Sequence, residues 1–428
     1  MESAMNIRHW LLTAALLTSA GCSLLKLDQE MQQAHKELIL VSGQLQASED
    51  QHSALVALLD RQGKLVAYRI ASPGEVFYFT TPPATYQLLA FDDRNGNFIL
   101  DANEPHHWIA EAQSTPLTVQ PTPEERAQLG HLNLLQLRKN ALKPAPELDL
   151  SLEVLNQQHP RFQRNYLQPI SLSDGRFDEQ NTRMGTWQPV SFVKELGYGL
   201  YLLAPWDDDK EPVLMVHGIN SSPRDWAYLA STLDTERYQP VLFHYPGGSP
   251  LDNNAYMLSV GIRDMQLRHA TERMHVVAHS MGGLVARRAL QLLNQDYHPP
   301  VCLFVTLSTP WGGHPMAAEG VHDVPLDIPL WRDLSPGSPF LQKLFDKPLP
   351  THIRQWQLVS YGGNRRLLPE PNDGAVPLAS ELFPAAQDEA ERLYLLEESH
   401  SGILKSQRSS ARLKRALESV PTKGCGPD

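Results

Sequence analysis

The stretch Met274–Gly283, MHVVAHSMGG, decides how this chain is read. A run of apolar, partly β-branched residues feeds a turn of the form small-x-Ser-x-Gly, and LVARRALQLL follows with helical spacing. Strand, sharp turn and helix are the setting in which a serine hydroxyl is lifted above the carboxyl edge of a sheet, so Ser280 is the candidate nucleophile. Such a turn strains the backbone of its serine and brings the residues two places either side almost into contact, so both must be small. They are Ala278 and Gly282, with Gly283 beyond. Ala278 stands where glycine is usual, at a cost to the turn of one methyl group.

Upstream, Pro212–Asn220 (PVLMVHGIN) is the kind of continuous apolar run that parallel sheets bury on both faces, and it ends in His217-Gly218. An oxyanion formed by attack of Ser280 needs two backbone N–H donors, one just after the nucleophile and one from the loop after an earlier strand. Met281 and Ile219 occupy those places, and His217 is read as shaping the loop rather than moving protons. Gln239–Gly248, Val301–Thr309, Gln355–Gly362 and Arg392–Leu396 read as further strands, and Asn254–Ala270 has helical spacing. This alternation predicts an α/β fold with a doubly wound, mostly parallel sheet whose crevice lies outside the strand carboxyl ends.

A serine nucleophile needs a base, and the base needs an acid that fixes its tautomer. His400 follows the last strand-like run, RLYLLEESH, and Asp373 lies in the turn-rich segment NDGAVP after the strand before it. Both sit just past predicted strands, in the chain order Ser, Asp, His expected on this fold. Asp323, Asp327 and Asp333 are alternatives for the acid, whereas Glu397 and Glu398 are too close in sequence to His400 to be first choices.

With HGIN, AHSMGG, STPWGG, NDGAVP and ESHSGIL in hand, the chain resembles the α/β-hydrolase superfamily, in its bacterial lipase and esterase-like branch, from Pro212 to Ser419. The resemblance implies hydrolysis of carboxylic esters, lipid esters among them, through an acyl-enzyme. Ser280 would attack, His400 relay the proton, Asp373 orient His400, and Ile219 and Met281 hold the oxyanion. It calls for no cofactor and no metal. The same residues also suit an acyltransferase or a deacylase of lipid-linked molecules, and an inactive envelope scaffold is a further class. The insertion 311–350 sits where relatives carry a lid, and an ungated surface excursion fits it equally.

Residues 1–21 read as a signal peptide: Arg8 and His9, then the apolar run Trp10–Leu17, then Ser19-Ala20-Gly21 before Cys22. Ala-Gly-Cys resembles a bacterial lipobox, although Ser19 stands where leucine is commoner, and this implies a lipid on Cys22. A lipid-anchored protein of the bacterial envelope, at the outer membrane, is the expectation; a plain secretory signal is the alternative. Cys302 and Cys425 would remain as free thiols, with no disulfide framework. A net charge of −11 with no basic stripe argues against nucleic acid as a partner and against electrostatic docking to anionic lipid.

Residues 22–120 have another grammar. ELILVSGQLQ, SALVALLD, KLVAYRIA, GEVFYFTT and TYQLLAFDD are short strand-like runs parted by turn residues, which predicts a small all-β sandwich and resembles prealbumin-like modules. Within it, Asp93, Asn95, Asn97, Asp101 and Glu104 fall at calcium-loop spacing, but Phe98 takes the place of the required glycine, so a polar Asx turn is the preferred reading. Residues 121–200 read as a linker and 201–420 as the catalytic domain.

Overall fold

The computed structural model describes residues 23–33, 39–45, 54–71, 76–82, 84–112, 115–116, 132–134, 147–151, 154–155, 164–293, 300–324, 326–363, 368, 370–422 and 424–425. The signal-like segment and Cys22 lie outside them.

The amino-terminal strands are β1 (Ile39–Leu45), β2 (Ala54–Leu59), β3 (Leu65–Ala71), β4 (Val76–Thr81), β5 (Gln87–Phe91), β6 (His106–Ala112), β7 (Thr115–Pro116) and β8 (Leu132–Leu134). They form a five-stranded sheet, ordered β3-β2-β5-β6-β7, and a three-stranded one, β4-β1-β8. Both faces of β2 are covered: Val56 and Leu58 join Val41, Phe77 and Phe79 between the sheets. Leu55, Ala57 and Leu59 meet Phe91, Leu100 and Trp108 on the other side. This two-faced packing is why all six residues of β2 are buried, where a one-sided sheet would alternate.

The acidic loop of this module is satisfied from within. Asp93 accepts from the N–H groups of Asn97 and Phe98, Asp101 from the Asn95 and Asn97 side-chain amides, and Glu104 from the N–H groups of Arg94 and Asp101. No cluster of metal-ligating residues occurs among the described residues.

The second unit is an eight-stranded sheet of β9 (Arg164–Pro169), β10 (Tyr198–Leu202), β11 (Glu211–Val216), β12 (Tyr238–His244), β13 (Met274–His279), β14 (Val301–Leu307), β15 (Arg354–Ser360) and β16 (Arg392–Leu396). Its order is β16-β15-β14-β13-β11-β12-β10-β9, and every pairing is parallel except β10 with β12. Alternating side chains feed two cores. Leu214, Val216, Val276 and Ala278 face the helices Leu251–Arg268 and Met281–Leu293. Val213, Met215 and Val277 face the helix Gln407–Glu418. β13 and β14 are buried throughout, because the sheet is covered on both sides.

Three expectations from the sequence are corrected, two of them domain boundaries. The segment 121–200, expected as a linker, supplies β9, β10 and the helices Glu179–Trp187 and Pro189–Glu195 to the hydrolase unit. Residues 23–33 form a helix that leaves the β module and buries Leu27 in the large core. Its Glu30 accepts from the amides of Val190 and Ser191 and from the Ser191 hydroxyl, capping the amino-terminal turn of the helix Pro189–Glu195. Cys302 and Cys425 are joined as a disulfide rather than free thiols, with Cα atoms 4.4 Å apart across 123 residues of sequence. The β module is fastened to the Leu251–Arg268 helix by the Tyr68 hydroxyl, which donates to Asp264 at 2.7 Å, and by the Arg268 guanidinium 3.8 Å above the Phe98 ring.

The insertion 311–350 is only partly a surface excursion. Leu330, Leu334, Phe340, Leu341 and Leu344 belong to the large core. The Gln291 side-chain amide donates to the Leu344 carbonyl at 2.6 Å, tying this stretch to the helix behind Ser280. The short helix Pro315–Asp323 within it presents Met316 and Val321 to solvent.

Candidate active site

Ser280 stands between β13 and the helix Met281–Leu293 with φ of +55°, in the left-handed region that non-glycine residues seldom enter. Its N–H bonds to the Leu307 carbonyl at 2.8 Å, and its own carbonyl accepts from Gly283 N–H at 2.9 Å. The turn is crowded. A Cβ at Gly282 would lie 2.4 Å from the His217 carbonyl oxygen, and one at Gly218 would lie 2.8 Å from Ser280 Cβ. Neither position can carry a side chain without displacing the loop after β11 from the serine. The methyl of Ala278 points into the large core and is fully buried there, which is how the turn accommodates it.

His400 and Asp373 converge on Ser280 from 120 and 93 residues away in sequence, each on a loop beyond a sheet carboxyl end. His400 Nε2 lies 2.9 Å from Ser280 Oγ, and His400 Nδ1 lies 2.6 Å from Asp373 Oδ2. An ionised carboxylate only accepts, so Nδ1 carries the proton and Nε2 is left to accept from the serine hydroxyl. Asp373 is fully buried and receives three further donors: Ala375 N–H at 2.9 Å and Val376 N–H at 2.7 Å on Oδ1, and Ser360 Oγ–H at 2.7 Å on Oδ2. Burial works to raise its pKa, but the His400 hydrogen bond and charge, with the Val376 N–H and the Ser360 hydroxyl, outweigh it and pull the value down to about 2.

Met281 opens its helix, where amides have no intrahelical acceptor. Ile219 follows Gly218, whose backbone abuts Ser280. His217 donates from Nδ1 to the Gly218 carbonyl at 2.9 Å, and its ring stacks on Tyr245 at 4.3 Å between centroids. The Tyr245 hydroxyl donates to the His217 carbonyl at 2.5 Å. Burial drives the His217 pKa down to about 4, so the ring is neutral at pH 7 and braces the loop.

The alternative acids are engaged elsewhere. Asp327 pairs with Arg332 at 2.9 Å on the surface, and Asp333 accepts from Leu251 N–H at 2.9 Å at the start of the helix Leu251–Arg268. Asp323 ends the helix Pro315–Asp323. Glu398 accepts from the Ser406 hydroxyl at 2.6 Å.

Three neighbours went unread in the sequence. His279 Nε2–H donates to the His400 carbonyl at 2.8 Å and so holds the backbone of the base. Burial first, and then the His400 charge, push its pKa down to about 3, leaving it neutral. Ser360 ends β15 and bridges to Asp373, and Ser308 Oγ lies 2.5 Å from Ser360 Oγ. Position at the carboxyl end of a strand, Ser308 just after β14 and Ser360 at the end of β15, was the only signal for either serine.

A parallel sheet of this order, with a strained serine after a central strand and an imidazole and carboxylate lined up beside it, defines the α/β-hydrolase class. The model of the alpha/beta hydrolase family matches residues 213–426, half of the chain, and the chain belongs to that family. Solved structures similar to it include a lipase of Bacillus licheniformis, BlEst2 in mature form. The two are 20% identical over 49% of this chain and 93% of that one, with a TM-score of 0.41. The lin2722 gene product of Listeria innocua is 14% identical over 51% of this chain and 98% of its own, with a TM-score of 0.40. The esterase PF2001 of Pyrococcus furiosus is 16% identical over 50% and 82% respectively, with a TM-score of 0.36. Among curated proteins no match is found.

Proposed function

We propose that this protein hydrolyses carboxylic esters through an acyl-enzyme on Ser280. The observation that carries the reading is the unbroken relay from Asp373 through His400 to Ser280, with links of 2.6 and 2.9 Å, ending on a serine at φ +55°. Ser280 Oγ attacks the acyl carbonyl as His400 Nε2 takes its proton, and Asp373 stabilises the imidazolium that results. The oxyanion is received by the N–H groups of Ile219 and Met281. Collapse expels the alkoxide, which takes the proton from His400; a water molecule then repeats the sequence to release the acid and restore Ser280. The esterase and lipase descriptions of the similar structures are consistent with this chemistry.

The same proposal places the protein in the bacterial envelope, held by a lipid on Cys22. The Cys302–Cys425 disulfide supports export, since such bonds persist in oxidising compartments. No helix among the described residues is long and apolar enough to cross a membrane. Incorporation of labelled palmitate that is lost in Cys22→Ala checks the anchor.

The chemistry is tested with a fluorophosphonate probe, peptide mapping and a panel of esters graded by acyl length. The label is expected on Ser280, and Ser280→Ala is expected to lower turnover by several orders of magnitude. Folded protein that turns over esters while Ser280 stays unlabelled would refute the assignment.

A further inference from the structure

The site contains a second buried carboxyl for which the relay has no use. Glu381 ends the short helix Leu378–Glu381, directly after the segment that carries Asp373, and both side chains are fully buried. Glu381 Oε2 accepts from Ser360 N–H at 3.1 Å, while the hydroxyl of the same Ser360 donates to Asp373 Oδ2 at 2.7 Å. Glu381 Oε1 is buried with no donor among the described residues. One residue, Ser360, thus touches both carboxyl groups, its amide on Glu381 and its hydroxyl on Asp373, which sets the two buried side chains beside each other.

Two ionised carboxylates are acceptors only and cannot bond to each other; one proton between them turns the contact from repulsion into a hydrogen bond. The partners decide which group keeps the charge. Asp373 has four donors, from Ala375, Val376, Ser360 and His400, whereas Glu381 has the one amide of Ser360.

We infer that Glu381 is a positioning residue that stays protonated and shares its proton with Asp373, keeping Asp373 the ionised partner of His400. The inference rests on the proposed ester-hydrolase reading for its kinetic effect but not for the shared proton itself. Burial, and then the charge of Asp373, hold the Glu381 pKa well above the usual carboxyl range. The titratable groups facing Glu381 are Asp373 and, behind it, His400. A neutral donor here drains charge from Asp373 Oδ. Without it the carboxylate grips the imidazolium more tightly, and His400 releases its proton less readily.

The test compares wild type with Glu381→Gln, which retains an N–H donor of similar reach, and Glu381→Leu, which removes it. The infrared difference between wild type and Glu381→Gln at pH 7 should contain the carbonyl stretch of a protonated carboxylic acid, whether or not any ester is turned over. In Glu381→Leu, kcat should fall about 10- to 100-fold with KM little changed, as for an interaction felt in the transition state. The acid limb of kcat/KM should move up by about half a pH unit to one unit. Glu381→Gln should recover most of both effects. Absence of the infrared band overturns the inference even if Glu381→Leu fails to fold, and so does a Glu381→Leu variant with wild-type kcat and acid limb. An infrared band in a protein that neither turns over esters nor labels at Ser280 would instead sink the hydrolase reading while leaving the carboxyl pair intact.

Discussion

Gly218→Ala tests whether the loop after β11 is an oxyanion donor or only a strand connection. The added methyl would sit 2.8 Å from Ser280 Cβ and 3.3 Å from both Ser280 Oγ and the His279 carbonyl oxygen. Carbon atoms rest at about 3.5–4.0 Å, so the loop and the serine must part by roughly 0.7 Å. An oxyanion donor acts at about 2.7–3.1 Å, and that retreat takes the Ile219 N–H out of hydrogen-bonding range. Loss of one such donor corresponds to about 3–4 kcal/mol of transition-state stabilisation, or roughly 100- to 1000-fold in kcat. The loop is also braced by His217 and Tyr245, so the fold should survive. Steady-state kinetics on a short-chain ester, with the melting temperature followed in parallel, give the two quantities needed. A folded Gly218→Ala protein with kcat within about threefold of wild type would refute the placement of Ile219 in the oxyanion hole.

Two further outcomes follow from groups beside and beneath the site. His217 and His279 are buried and neutral, with pKa values lowered from 6.5 to about 4 and about 3. A folded value below the unfolded one means stability fully present above about pH 6.5 and lost as pH falls towards 4, by an order of magnitude of 3 kcal/mol for His217. Melting temperature should therefore decline across that window and flatten in part in His217→Asn; a level profile in wild type would contradict the buried neutral rings. Breaking the Cys302–Cys425 bond, by reduction or Cys425→Ser, should cost about 2–4 kcal/mol and lower the melting temperature by roughly 5–15 °C. Ester turnover at 25 °C should persist, because Cys302 lies near the start of β14, at the end of the sheet away from Ser280. Equal melting of oxidised and reduced protein would count against the bond.

The central strands and the serine turn were legible because their signals are local: unbroken apolar runs for strands covered on two faces, and small residues where backbones nearly touch. His400 could be read from its place shortly after β16, and Asp373 from the turn-rich NDGAVP segment between β15 and β16. What escaped depends on convergence. Ser360, His279 and Glu381 acquire meaning only when loops from β13, β15 and β16 meet. The partner of Cys302 is 123 residues away, and no spacing rule points to it. β9 is the sheet edge and β10 its neighbour, and Arg164, Gln168 and Gly199 interrupt their hydrophobic pattern, so the run reads as a connector.

The helix at residues 23–33 is made before the β module yet finds its contacts in a core whose members run as far along the chain as Ile353 and Ala386. At a synthesis rate of about 5–20 residues per second, the ribosome needs roughly 20–70 s to deliver the missing strands, and until then the surface around Leu27 has nowhere to go. In vectorial terms the helix at residues 23–33 leaves the ribosome long before the full core that buries Leu27, so a nascent chain halted between the two presents that apolar stripe to holding factors.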